Sequence, residues 1–199
     1  MSDRIIIENL KPILTNCQLR ELNANEEEHL QKLISRFDSL IDYSQVVLYD
    51  SAEIKKNQNT SFLALLSLTF KYKGVRSPQV ESSLSEYEII GLAKLKKDYG
   101  RVLIRPETTM DKISDLFVHT DIDFDFDKEF SRKYYLAAND EVKLRKNITA
   151  GFLETVKHYS GLEIEIDGNV LTARLRKPFS PEGGKTIANF ITEINDGRN

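Results

Sequence analysis

The chain has 199 residues, 40% of them hydrophobic and 30% charged, with a formal net charge of −3 and a sequence pI near 5.7. That length supports one sizeable core, or a core with a small N-terminal appendage, and the mixed charge suits a solvated globular surface rather than a disordered tail. A dedicated nucleic-acid binder is usually basic, and a single cysteine, Cys17, leaves no partner for an internal disulfide or a cysteine metal cage.

Residues 1–10 carry Asp3, Arg4 and Glu8 around three isoleucines, without the apolar run and small-residue cleavage site of a signal peptide. The longest apolar stretch, Phe62–Phe70, falls well short of the roughly 20 residues of a membrane helix. The expectation is a soluble, cytoplasmic chain with no membrane span. Leu30, Leu33, Ile34, Phe37, Leu40 and Ile41 then recur at helical spacing and predict an amphipathic helix over Glu26–Asp42, with Asn25 as N-cap and Glu28 completing a capping box. Asn57-Gln58-Asn59-Thr60 reads as a loop and divides an N-terminal helical segment, 1–58, from an α+β region, 59–199, unless the whole is one compact domain.

From Phe62 the period changes to two. Phe62, Ala64, Leu66, Leu68, Phe70 and Tyr72 fall on one side of a strand and Thr69, Lys71 and Lys73 on the other, with Gly74 as the stop. Val75–Ser85, with Pro78 and four serines, reads as a loop. Glu86–Lys96 and Arg101–Arg105 are expected to pair as a hairpin through Asp98-Tyr99-Gly100. Thr108 and Asp111 open a short helix, and strands are expected over Thr120–Phe126 and Phe130–Ala138. Thr149–Tyr159 has a helical stripe of Phe152, Leu153, Val156 and Tyr159, ended by Gly161. Leu162–Ile166 and Val170–Leu175 flank Asp167-Gly168-Asn169, the strongest hairpin signal in the chain. Ser180-Pro181 opens the last helix as N-cap and first residue. The fold class implied is α+β: a mainly antiparallel sheet with helices packed on one face, plus the N-terminal amphipathic helix, whose stripe packs on its own sheet or on a second copy.

Four groupings invite a chemical reading. In His119–Asp127 an extended backbone sends Asp121, Asp123, Asp125 and Asp127 to one side and Ile122, Phe124 and Phe126 to the other. Such a carboxylate row beside His119 suits a hard divalent cation, but the calcium-loop pattern fails, with Phe126 where glycine is required. A solvated strand face is the simpler meaning. Gly184-Lys185-Thr186 resembles the end of a phosphate loop, yet Phe179 stands where its first glycine belongs. Lys94, Lys96, Lys97, Arg101 and Arg105 decorate the middle hairpin and, with Tyr87 and Tyr99, make a single-strand nucleic-acid surface conceivable. Glu163 and Glu165 alternate with Leu162, Ile164 and Ile166, the polar face of a strand before an acid–base pair.

Phe130-x3-Tyr134-x-Leu136-x-Ala138-x-Asp140, followed by Arg145, Ile148-Thr149 and Phe152-Leu153, resembles the signature stretch of an uncharacterised bacterial family that carries a domain-of-unknown-function label. The likeness spans residues 121–175 and departs at Ala150, where the family pattern has proline, and at Tyr134, where it has phenylalanine. It implies a bacterial origin and offers no activity to carry over. The leading expectation is a non-enzymatic binding or regulatory module without cofactor, acting on a protein partner or on itself through the sheet surface or the N-terminal helix. The alternatives are a metal-dependent hydrolase or phosphoryl-transfer enzyme using Asp121, Asp123 and Asp125 with His119, and nucleic-acid binding through the basic hairpin.

Overall fold

The computed structural model describes residues 5–15, 17–40, 43–74, 77–107 and 122–196, with 72–74 and 77–81 described by their backbone. In chain order the elements are α1 (Ile5–Leu10), β1 (Gln18–Glu21), α2 (Ala24–Ile34), a 3-10 turn (Asp38–Leu40), β2 (Gln45–Lys56), β3 (Asn59–Gly74), β4 (Ser77–Lys94), β5 (Arg101–Pro106), α3 (Lys128–Lys133), β6 (Tyr134–Ala138), α4 (Glu141–Asn147), α5 (Ala150–His158), β7 (Glu163–Asp167), β8 (Val170–Arg174) and α6 (Pro181–Asn195). The strands make one eight-stranded sheet in the order β1-β2-β3-β4-β8-β7-β5-β6, each neighbouring pair antiparallel. The fold is therefore α+β.

Local chemistry explains most of these elements. Thr149 caps α5 by accepting from the Phe152 N–H at 3.1 Å, and Ser180 caps α6 by accepting from the Gly183 N–H at 3.1 Å. Between β7 and β8, Asp167 pairs with Val170, so Gly168 and Asn169 form a two-residue turn, with Gly168 at φ 64°, a conformation glycine adopts without steric cost. At α2 the capping box is made by Asn23 and Glu26, two residues earlier than expected, and the helix ends at Ile34 rather than Asp42. Phe37 and Leu40 nonetheless remain buried, because the 3-10 turn keeps turning the chain inward after the helix stops.

The sheet is buried on both faces. One face carries Ala52, Ile54, Leu63, Leu65, Ile89, Val102, Ile104, Leu136, Ile164, Ile166, Leu171 and Ala173 and packs under α1, α5 and α6 as the main core. Gly91 lets α6 lie directly on β4: a Cβ there would stand 2.6 Å from Ile187 Cγ2 and 2.7 Å from Ile191 Cγ2. The other face shows Ala64, Leu66, Leu68, Ile90 and Leu92, against which α2 sets Leu30 and Ile34. Helices thus flank the sheet on both sides rather than on one.

Several expectations differ from the structure for identifiable reasons. The loop at 57–60 is the turn of the β2–β3 hairpin: Lys56 pairs with Asn59, and Asn57 takes φ 56°, which asparagine tolerates. The division at residue 58 therefore falls inside one hairpin. The serine-rich stretch expected as a loop enters β4, which begins at Ser77 and pairs with β3 along its length. Glu86–Lys96 and Arg101–Arg105 do not pair with each other, because the β7–β8 hairpin inserts between β4 and β5. Phe130 belongs to α3, not a strand. Asp127 accepts from the Phe130 N–H at 3.0 Å, and Phe130 and Tyr134, four apart, stack at 5.0 Å. Residues 122–127 are irregular rather than a strand, although Ile122 and Phe124 are buried and Asp123 and Asp125 exposed. The short helix expected from Thr108 lies outside the described residues.

Candidate interaction surface

β2, β3 and β4 extend past the helix layer. The Asp50 carboxylate accepts from the Ile6 N–H at 2.7 Å and ties α1 to β2, and the Phe179 N–H donates to the Tyr87 carbonyl at 2.7 Å just before Ser180 opens α6. Beyond those two points no helix among the described residues covers the face that α6 covers elsewhere. Val47, Ser67 and Tyr87 stand in one row across the three strands, and Thr69 and Ser85 follow beside them with hydroxyl oxygens 2.7 Å apart. The β2–β3 register shifts between Leu48 and Asp50, and the bulge residue, Tyr49, sets its ring 4.9 Å from that of Tyr87, edge to face. Val47, Tyr49 and Tyr87 are between 41% and 44% exposed, with buried Asp50 behind the bulge and exposed Lys71 in the row beyond Thr69. On the opposite face of the same strand end, Leu84 is 52% exposed beside Phe70, whose ring meets that of Tyr43.

A second feature is a layer of charge buried under the segment that follows α2. Arg174 Nε donates to Glu163 Oε1 at 2.8 Å, Arg174 Nη1 lies 3.6 Å from Glu88 Oε2, and Arg176 Nη1 donates to Glu163 Oε2 at 3.3 Å. Glu165 accepts the N–H groups of Asp38 and Ser39 at 2.9 Å each, while Arg101 pairs with Asp38 and Arg36 with Asp167. Arg105, on the same face, lies over the Tyr135 ring at 4.9 Å. Burial pushes the Glu88 and Glu165 carboxyls above their ordinary range; Arg174 partly reverses this at Glu88, and the two backbone N–H groups do so at Glu165. Glu163 and Glu165 are thus not a solvated strand face. They join β7 to β8 and to the 3-10 turn, which is a structural use of carboxylates. An open groove of about 840 Å³ between α3, α5 and α6 is also charged, but its groups neutralise one another: Lys157 with Asp127 and Glu154, Lys133 with Glu129, and Lys56 with Asp196.

The structure does not gather the acidic candidates around an ion. Asp123 and Asp125 are exposed on the irregular segment, and Asp127 caps α3 while paired with Lys157 at 2.8 Å. His119 and Asp121 lie outside the described residues. Among the described residues no three histidine, cysteine or acidic side chains group to hold a metal. The basic residues of the expected hairpin separate as well. Lys94, Lys96 and Lys97 are exposed on β4 and the connection after it, whereas Arg101 and Arg105 turn into the buried layer on β5. Gly184-Lys185-Thr186 is helical, with the Gly184 N–H already bonded to the Ser180 carbonyl at 2.9 Å. Among the described residues no helix is long and apolar enough to cross a membrane.

No family model matches the chain, and no curated protein matches it by sequence. Among solved structures it is similar to the mycobacterial trehalose monomycolate transport factor A, TtfA, with a TM-score of 0.53 and 9% identity over 96% of this chain and 90% of that one. At that identity the likeness is one of fold.

Proposed function

We propose that the chain is a non-enzymatic binding module that receives a protein partner on the uncovered end of β2, β3 and β4. One observation carries this: of the six large hydrophobic side chains exposed among the described residues, three, Val47, Tyr49 and Tyr87, gather on one face of that strand end. Scattered exposed hydrophobes need no explanation, but a cluster marks an interaction surface, and tyrosines with a charge at the rim, here Lys71, are the composition of interfaces. On this proposal α2 is the amphipathic helix of the N-terminal segment, committed to covering the second sheet face, which leaves the strand end as the contact surface. A cytoplasmic setting and kinship of residues 121–175 with the bacterial family they resemble belong to the same proposal. The likeness to a transport factor is compatible with a non-catalytic role on this scaffold; fold alone does not transfer a ligand.

The test is site-specific photo-crosslinking in the native host. A crosslinker replacing Tyr49 or Tyr87 should capture one and the same protein, while a crosslinker replacing Val142, 80% exposed on α4, should not. Tyr49→Ala or Tyr87→Ala should then weaken that partner by about 2 kcal/mol, roughly 30-fold, as expected for a central aromatic anchor. Equal capture from Val142, or affinity unmoved by either alanine, rejects the surface.

A further inference from the structure

β2 is 12 residues long, but β1 pairs only with its far part, from Ala52 to Lys55. Among the described residues no strand lies beside Gln45–Tyr49 on the outer side. The other edge of the sheet is covered: the Ile122 N–H donates to the Leu136 carbonyl of β6 at 2.9 Å. On β2 the Leu48 N–H turns outward, where Gln31 Oε1 accepts it at 2.8 Å in place of a strand carbonyl. Backbone groups alternate along a strand, so Val46 faces outward with Leu48. Edge strands are ordinarily blunted by lysine, proline or an inward charge. Ser44-Gln45-Val46-Val47-Leu48-Tyr49 contains no charged residue, proline or glycine, and its valines and tyrosine favour a strand. The run ends only at the bulge at Tyr49.

We infer that this edge pairs with the same edge of a second copy, antiparallel about a two-fold axis at Val47. The register follows from the strand. Outward-facing residues meet outward-facing residues, so Val46 exchanges backbone bonds with Leu48 of the second copy and Leu48 with its Val46, and the two Val47 side chains stand opposite each other. A two-fold contact also needs each projection and the hollow that receives it on the same surface. A cavity of about 290 Å³ whose lining includes Gln31, Ile34, Phe37, Leu40 and Val46 opens beside Val46 on the face that α2 covers. Leu48, two residues on, lies on that same face. Leu48 of the second copy, opposite Val46, is therefore set against this cavity, and the reverse holds across the axis. Length agrees: β2 begins at Gln45, which falls opposite Tyr49, so the second copy's strand ends before it reaches the part of β2 that β1 holds. The uncharged run places no charge opposite its like. The pairing uses the strand edge, not the exposed face proposed for a protein partner, and sets two copies of that face side by side.

The experiment is sedimentation of the purified full chain over a concentration series, with cysteine pairing to fix the register. A dimer that dissociates on dilution is expected. In a Cys17→Ser background, Val47→Cys should form an intermolecular disulfide under mild oxidation, because opposite residues of a non-hydrogen-bonded antiparallel pair have Cα atoms about 4.5 Å apart, within disulfide range. Ser67→Cys, beside Val47 but one strand farther from the axis, should stay reduced. Val47→Lys, at a side chain 42% exposed within the chain, should leave the circular dichroism unchanged and raise the dimer dissociation constant at least about tenfold, through like charges on the axis. A chain still monomeric at about 1 mM, the weak end of specific association, overturns the proposal. So does a dimer in which Val47→Cys stays reduced while Tyr87→Cys links, since its two-fold then lies on the sheet face. Sedimentation of the purified chain reads the edge and crosslinking in the host reads the face, so the two proposals fail separately.

Discussion

Arg174→Met tests the buried charged layer most directly. The side chains of Arg174, Glu163 and Glu88 are 4%, 3% and 2% exposed. Removing the guanidinium leaves Glu163 with only Arg176 Nη1 at 3.3 Å and Glu88 with the Arg176 backbone N–H at 2.9 Å, so two buried carboxylates share one residue's donors. Breaking a buried pair in this way costs about 3–5 kcal/mol. At roughly 2–4 °C per kcal/mol for a chain of this size, Tm should fall by about 10 °C. The loss should depend on pH. Burial already holds Glu88 above its ordinary range, and losing Arg174 raises it further. A carboxyl whose folded pKa exceeds its unfolded value contributes stability below the unfolded value, about 4.3, and loses it as pH rises through the folded one. The deficit should therefore be smallest near pH 4 and grow toward neutrality. Urea denaturation of both chains across that range measures it, and Arg174→Met/Glu163→Met should recover part of the loss by removing one of the two orphaned charges, Glu88 remaining on the Arg176 backbone N–H. A deficit under about 1 kcal/mol at neutral pH, or a double variant no more stable than the single one, would refute the coupling described here.

Gly91→Ala should destabilise by about 1–3 kcal/mol in a thermal melt, since its Cβ would meet Ile187 and Ile191 under α6; an unchanged Tm would place α6 farther from β4. Leu30→Ala should cost about 2–5 kcal/mol and speed amide exchange in α2, because Leu30 is buried against Ala64, Leu66 and Ile90. Burial pushes the Asp127 carboxyl up, but its bonds to Lys157 and the Phe130 N–H outweigh that and leave it below its ordinary range. Its contribution is thus present above the unfolded pKa, about 3.9, and is lost as pH falls through the lower folded value, so Asp127→Asn should narrow its stability gap to the unaltered chain below about pH 4 in acid denaturation.

What was legible in the sequence depended on how local the cause was. The α5 and α6 caps and the β7–β8 turn are set by Thr149, Ser180 and Gly168 within a few residues, and each forms where the pattern put it. The ion pair of Glu163 with Arg174 was within reach too. Once Gly168-Asn169 is a two-residue turn, the antiparallel register places Glu163 opposite Arg174. Its burial was not legible, because the cover comes from Asp38 and Ser39, more than 120 positions earlier in the chain. The order of the sheet was hidden for the same reason. Nothing in 86–105 records that β7 and β8 will separate its two strands. Phe130 with Tyr134 shows a different failure: a spacing of four satisfies both a strand's period and a helix turn, and Asp127 as cap decides it. As for the site, the sequence pattern predicts no strand over 45–56 and a loop over 75–85, so neither β2 with Val47 and Tyr49 nor the first half of β4 was legible, and which strand length the described helices leave uncovered depends on tertiary packing.

That bare length follows from element dimensions. β3 and β4 have 16 and 18 residues, so at about 3.3 Å per residue each runs for roughly 50–60 Å. α6 has 15 residues and α2 has 11, which at about 1.5 Å per residue gives roughly 22 and 16 Å. Among the described residues no helix is long enough to follow these strands to their ends. A sheet face exposed for that reason alone would carry charge, as Lys94 does where β4 ends and Lys55 and Lys56 do where β2 ends. At the opposite end of the same strands Val47, Tyr49 and Tyr87 stand exposed on one face and Leu84 on the other, with serine and threonine between them and Lys71 in the row beyond Thr69. That concentration of exposed apolar side chains, with Lys71 at its rim, separates a surface shaped for contact from one that is merely uncovered.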